Sequence, residues 1–210
     1  MCVYENIRTK NQKKYYGYTK GNPYLLPHEH TTGTALIYQQ LTELQQQFYS
    51  IWLSEMLFTW RWWVSVLLTI VPWLLWLRYR NPESKHRLLL AGFFSMIAAL
   101  TLDTIGSIIG LWFYDYKALP LFPHYIPADF SIIPVAIMFM IQYNPSLNPH
   151  LKGLVFALLF SFIGEEILRW MALYELLLWR QYYSLPLYYT IFVGSHYFTT
   201  LDGFKPLKDT

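Results

Sequence analysis

Apolar residues at Ile37, Leu41, Leu44, Phe48, Trp52 and Met56 recur every three or four positions, with Gln39, Gln40, Glu43, Gln46, Gln47 and Ser54 around the rest of the turn. That period predicts an amphipathic helix over 35–61, its apolar stripe laid on a membrane surface or on another helix. The polar side is rich in glutamine and poor in cations, so it lacks the charge that would select anionic lipids. From position 62 the pattern changes, and long runs become apolar on every side. A bilayer-spanning helix needs roughly 20 such residues, because about 30 Å of hydrocarbon is crossed at about 1.5 Å per residue. Stretches over 62–77, 88–113, 127–143, 151–174 and 185–201 approach that length. The predicted fold is all-α, an integral membrane bundle of about five transmembrane helices over 62–201 behind the amphipathic helix. A polar tail over 1–34 precedes it and a short tail over 202–210 follows. Pro127 and Pro134 make 127–143 fit a kinked or re-entrant segment almost as well as a span.

Composition agrees with a bilayer-embedded chain: 54% of the 210 residues are hydrophobic, only 14% are charged, and 20% are aromatic. Trp62, Trp63, Trp73, Trp76, Trp112, Tyr143, Tyr174 and Tyr188 sit near predicted span ends, where amphipathic rings favour the interface. The only cysteine is Cys2, which excludes an internal disulfide or a cysteine metal cluster. Net charge is +3, and the basic residues are scattered over loops, which argues against nucleic-acid binding. Arg78, Arg80, Lys85 and Arg87 between the first two spans mark that loop as cytoplasmic by the positive-inside rule. Alternation then places the N-terminus outside and the C-terminus, with Lys205 and Lys208, inside.

Against this background the stretch FIGEEILRW stands out, because Glu165, Glu166 and Arg169 lie within an apolar run. Arg169 follows the two carboxylates by four and three residues and reaches either on one helical face, yet it neutralises only one. Counted from the cytoplasmic ends, Glu165 and Asp103 both lie about 21 to 22 Å deep. Asp129 approaches the same level from the opposite surface. Carboxylates from three helices are therefore expected in one outer-half layer, with Asp115, Lys117 and His124 in the loop above. Intramembrane ionisable groups are costly, which makes this layer the candidate site. The other acids also have structural explanations, a Glu165–Arg169 pair, an interhelical hydrogen bond from Glu166 and a helix cap at Asp129, whereas Asp103 is harder to dismiss. Gly106 and Gly110 read as a small-xxx-small pair for close helix packing.

Other chemistry is sparse. His28 and His30 lack further ligands, His196 reads as an interface residue, and no nucleophile elbow, HExxH, phosphate loop or CxxC is present. No cofactor is expected.

The runs LDTIGSIIGLWFYDYKALPLFPHYIPADFSIIPVAIMFMIQY and FIGEEILRWMALYELLLWRQYYSLPLYY resemble a family of small uncharacterised multi-pass membrane proteins from spore-forming Gram-positive bacteria. Matching positions include Asp103, Gly106, Trp112, Pro127, Asp129, Glu165, Trp170, Tyr174, Trp179, Ser184 and Pro186. The sequence departs from the pattern at Gln142-Tyr143, which reverses the usual order, and at Glu166, where a proline is expected. The resemblance implies a multi-pass protein of the bacterial cytoplasmic membrane and supplies no activity.

The leading reading is a non-enzymatic membrane protein whose acidic pocket binds a proton, cation or cationic small ligand. Its residues are Asp103, Asp129, Glu165 or Glu166, and Arg169, walled by Trp112, Trp170 and Tyr174. Two alternatives stay open: an intramembrane lipid- or isoprenoid-modifying enzyme, and a structural partner of another membrane protein or of a second copy. The lipid bilayer is the one partner common to all three.

Overall fold

A computed structural model describes residues 33–121 and 123–201. The tail beyond Leu201 lies outside the described residues, as do His28, His30 and all but the end of the predicted N-terminal tail. The chain divides into two units, 1–46 and 47–210. In the first, the described residues belong to α1, Gly33–Ile51, none of whose residues is buried. An i,i+4 hydrogen bond from Gln39 to Glu43 supports its polar face.

In the second unit a π-helical turn, Trp52–Met56, precedes α2, Trp60–Tyr79. The Thr59 hydroxyl accepts from the Trp62 N–H and caps α2. Helix α3, Lys85–Ile108, follows a short turn. A π-helical segment, Pro127–Ile132, leads into α4, Ile133–Gln142. Helix α5, Pro149–Leu159, starts with proline in its first turn, behind Asn148, whose side chain accepts from the His150 N–H. It passes through a second π segment, Phe160–Gly164, into α6, Glu165–Trp170. Helix α7, Ser184–Thr200, closes the described chain. α3 packs on α4 and α7, α5 packs on α7, and α2 packs on the first π segment. Ala91, Ile137, Met138, Phe156 and Phe192 form the fully buried centre of this core.

The expectation of an all-α bundle with about five transmembrane helices is corrected on two counts. The described residues include an antiparallel two-stranded sheet, and only α2 and α3 are long and apolar enough to cross a membrane. Strand β1, Trp112–Tyr114, pairs with β2, Tyr174–Leu176, in the register Trp112↔Leu176, Phe113↔Glu175 and Tyr114↔Tyr174. Both strands sit at the ends of predicted spans, 88–113 and 151–174. Hydropathy merged each with the preceding helix, because aromatic residues suit a strand as well as a helix end. The segments Pro127–Gln142 and α7 are helical but extend only about 24 to 26 Å at 1.5 Å per residue, less than the hydrocarbon thickness.

The helix-to-strand switch is built the same way twice. α3 ends with Gly110 at φ 77°, the Leu111 N–H bonding the Gly106 carbonyl and the Gly110 N–H bonding that of Ser107. α6 ends with Ala172 at φ 54°, the Leu173 N–H bonding the Leu168 carbonyl and the Ala172 N–H bonding that of Arg169. Both are six-to-one plus five-to-two Schellman closures, each of which releases the chain directly into a strand. Gly110 is therefore a helix terminator, with nothing within 4 Å of where a Cβ would stand. Gly106 has a different task. A Cβ there would lie 2.1 Å from the Trp112 ring, so its bare backbone is what lets the indole fold back over α3. The two do not act as a helix-packing pair.

The distribution of polarity is inverted relative to a water-soluble protein. Leu67, Leu74, Ile97, Ile108 and Ile163 are exposed, whereas Ser65, Ser95, Ser131, Ser161 and Ser195 are fully buried. Many exposed large apolar side chains of this kind suit a lipid environment.

Candidate functional site

The α3 helix places Asp103 on its buried face, and the Trp112 indole returns over it. Trp112 Nε1 donates to Asp103 Oδ1 at 2.8 Å, and the Tyr114 hydroxyl donates to the same oxygen at 2.7 Å. Period-two alternation in β1 turns Trp112 and Tyr114 inward and leaves Phe113 exposed, so one strand supplies both donors. Tyr114 is stacked between Tyr125, at 4.8 Å, and Tyr174 of β2, at 5.2 Å. The sheet is thus an aromatic roof over Asp103.

Asp129 enters from the first π segment and accepts a hydrogen bond from the backbone of Tyr125. That interaction retains part of the expected capping role, yet its Oδ2 remains buried without a partner. Glu165 follows the second π segment and faces the Ser184 and Tyr188 hydroxyls, while Ser184 accepts from Trp179 Nε1 at 2.9 Å. Two of the three carboxylates are therefore aimed by π-helical turns, which change the angular position of the residues that follow and recur at functional sites.

Asp103, Asp129 and Glu165 line one cavity of about 80 Å³, together with Trp112, Tyr174 and Tyr188. This is room for roughly two or three water molecules. Each carboxylate is buried, and each presents one oxygen with no hydrogen-bond partner: Asp103 Oδ2, Asp129 Oδ2 and Glu165 Oε2. One oxygen from Asp103, one from Asp129 and a ring nitrogen of His124 lie within 4.8 Å of one another. Two carboxylates this close do not both stay ionised unless a proton or a cation lies between them. The arrangement is that of a receptor for positive charge.

Of the residues expected in the site, Asp103, Asp129, Glu165, Trp112 and Tyr174 meet at the cavity. Glu166, Arg169 and Trp170 do not line it. Arg169 Nη1 bonds Glu166 Oε2 at 2.9 Å, a pair with side chains 36% and 56% exposed, and Trp170 is 85% exposed. The one-arginine, two-glutamate ambiguity thus resolves by helix face: Glu166 takes the cation and Glu165 turns inward. Trp179 and Ser184, matching positions of the resemblance but not placed in the site by it, also line the cavity, as do Tyr114 and Tyr188, which no sequence signal separates from the many other aromatic residues.

The loop above is fixed from several directions. Arg61 donates to the Met171 carbonyl at 2.9 Å, Trp62 to that of Ala118 at 3.1 Å, and Ser65 to that of Tyr116 at 2.8 Å. Trp52 Nε1 donates to the Lys117 carbonyl at 2.8 Å. Lys117 is buried, and its Nζ donates to the Pro123 carbonyl at 2.7 Å and that of Leu121 at 3.3 Å, turning the loop back toward His124. Burial brings the Lys117 ammonium down to about 8, against the pull of Asp103, Asp115 and Asp129. Burial and the nearby Asp103 charge hold the Tyr114 phenol well above its ordinary value, and burial pushes Tyr125 up to about 12. The two phenols remain neutral donors at any physiological pH.

No protein-family model, characterised protein or solved structure matches the chain. Nothing there supports the resemblance to multi-pass proteins of spore-forming bacteria, and what stands is an α-helical chain with two membrane-length helices and a buried acidic cluster.

Proposed function

We propose that this chain is a membrane-embedded protein that binds a small cation in the cavity of Asp103, Asp129 and Glu165. The observation that carries this reading is the convergence of three buried carboxylates, each with an unpartnered oxygen, on one cavity. Convergent, perturbed polar groups in a cavity are the default signature of a site. A cavity of about 80 Å³ suits an ion or a very small ligand. The apolar exterior supports membrane residence.

In this reading α2 and α3 cross the bilayer with Arg78, Arg80, Lys85 and Arg87 on the cytoplasmic side. Arg87 donates to the Thr199 carbonyl at 3.4 Å, so the end of α7 lies at that same side, and the acidic cavity lies toward the opposite one. The function is the capture of a cation near the outer surface, for sensing or passage.

The test is a titration of detergent-purified full-length protein with Mn²⁺, Na⁺ and methylammonium, followed by calorimetry and intrinsic tryptophan fluorescence. Saturable binding by at least one of them, weakened at least tenfold by Asp103→Asn and by Asp129→Asn but unchanged by Glu166→Gln, is the expected result. Folded protein that binds none of the three, or binds them equally well after both aspartate substitutions, overturns the reading.

A further inference from the structure

Resting on that cation-binding reading, we propose that the cavity's ion is a divalent transition metal held by Asp103, His124 and Asp129. The donor set is the first reason. One imidazole with two carboxylates mixes nitrogen and hard oxygen ligands, which suits Zn²⁺, Mn²⁺, Fe²⁺ or Co²⁺ better than Na⁺ or an organic ammonium. Charge is the second, since one divalent ion balances both aspartates, whereas a single proton leaves one negative charge buried. Geometry is the third. The three donor atoms lie within 4.8 Å of one another, and side-chain rotation has to bring them to about 3.4 Å, the separation that bonds of about 2.1 Å set in a tetrahedral site.

The buried, unpartnered Oδ2 atoms of Asp103 and Asp129 supply acceptor capacity that no protein group uses. The imidazole is oriented as a ligand as well. The Thr104 hydroxyl commits its proton to the Leu100 carbonyl at 2.6 Å and lies 3.4 Å from His124 Nδ1. With that proton donated to Leu100, Thr104 would meet Nδ1 as an acceptor, a pairing that puts the ring proton on Nδ1 and frees Nε2 for a metal. Fixing the tautomer through the distal nitrogen is how outer-shell groups prepare metal-binding histidines.

His124 also supplies a route. It does not line the acidic cavity but lines a separate groove of about 280 Å³ with Leu100, Thr101, Thr104, Ile126 and Phe130. The imidazole therefore stands at the wall between an outer groove and the aspartates. A metal ion arriving through the groove meets His124 first and the two carboxylates next. Glu165 lines the cavity outside this triad and is not a ligand of the ion.

The test uses full-length, untagged protein in a His28→Ala/His30→Ala background, so that the N-terminal histidines do not contribute, stripped with chelator and titrated with Co²⁺. Visible d–d absorption reports coordination, and Zn²⁺ competition reports exchange. The expected result is one ion per chain, weakened at least tenfold by His124→Ala, Asp103→Asn or Asp129→Asn. Thr104→Val is expected to weaken it less, and Glu166→Gln not at all, with near-UV circular dichroism checking that each variant is folded. Divalent binding that survives His124→Ala but not Asp103→Asn overturns the His-containing site and leaves the acidic cavity as a receptor for a hard cation. Absence of Co²⁺ binding with retained Na⁺ or methylammonium binding does the same. Absence of any cation binding by folded protein removes the underlying reading together with this one.

Discussion

Gly106→Ala tests the construction of the site more sharply than any substitution of an acid. The added Cβ would lie 2.1 Å from two carbons of the Trp112 ring and 2.8 Å from a third, where carbon contacts require about 3.5 Å or more. Trp112 is buried and held by its 2.8 Å bond to Asp103, so it has no small rotation that restores a normal contact. Overpacking costs about 1 to 3 kcal/mol. Displacing the indole removes a charge-assisted hydrogen bond worth about 1.5 to 3 kcal/mol. Alanine returns about 1 kcal/mol of helix propensity over glycine. The net expected loss is about 2 to 5 kcal/mol, read by unfolding in mixed detergent–SDS micelles with near-UV circular dichroism as the signal. Gly110→Ala is the control, because that position is open and carries only the left-handed backbone penalty of about 1 to 2 kcal/mol. If Gly106→Ala falls within 0.5 kcal/mol of the parent, on the order of measurement error, or costs less than Gly110→Ala, Trp112 does not lie over α3 as described.

Ala172→Gly relieves the left-handed strain at the end of α6 and is expected to stabilise the protein by about 0.5 to 1 kcal/mol in the same assay. Lys152→Met removes the donor that reaches the Met140 and Tyr143 carbonyls at 2.9 and 2.6 Å, and leaving the end of α4 uncapped costs about 1 to 3 kcal/mol. Lys117 gives a pH signature. Its folded-state value is depressed to about 8, so its destabilising share is fully present below pH 8 and is lost as pH rises toward the unfolded value near 10.5. The parent should gain up to about 3 kcal/mol between pH 7 and pH 10.5 relative to Lys117→Met, and parallel stability curves for the two proteins would refute the burial of this ammonium.

The three acids of the cavity were legible in the sequence as charges inside apolar runs. Counting helical rise from Leu88 and from Leu151 put Asp103 and Glu165 at one level, and both line one cavity with Asp129, although the segment over 151–174 is not among the membrane-length helices. The counting assumed straight helices, and it failed where the backbone departs from them. The π segments at 127–132 and 160–164 have no signature in hydropathy, yet they orient Asp129 and Glu165. The strands were lost for a related reason. Trp112–Tyr114 and Tyr174–Leu176 are three residues each, too short for a two-residue period to register against the helical runs before them. The assignment of Trp170 to the cavity wall followed from proximity in sequence to Glu165, whereas five residues of helix carry it to the exposed side.

The two kinds of buried charge in this molecule are treated differently, and the contrast bears on function. Lys152 lies in the first turn of α5 with its ammonium directed at carbonyls at the end of α4, where the helix dipole favours a cation. Lys117 likewise bonds two loop carbonyls. A buried charge saturated by fixed backbone dipoles is fully accounted for by folding. The acids are provided for unequally: Asp103 receives two strong donors on one oxygen and none on the other, and Asp129 and Glu165 each keep an unpartnered oxygen in the cavity. The same fold that saturates its buried cations leaves one oxygen of each buried acid without a protein donor, and all three residues line the same small space. An unsatisfied buried carboxylate oxygen costs stability that a shared proton, a nearby hydroxyl or a bound cation recovers. Present at three positions from three segments, the surplus is acceptor capacity that a bound cation would use.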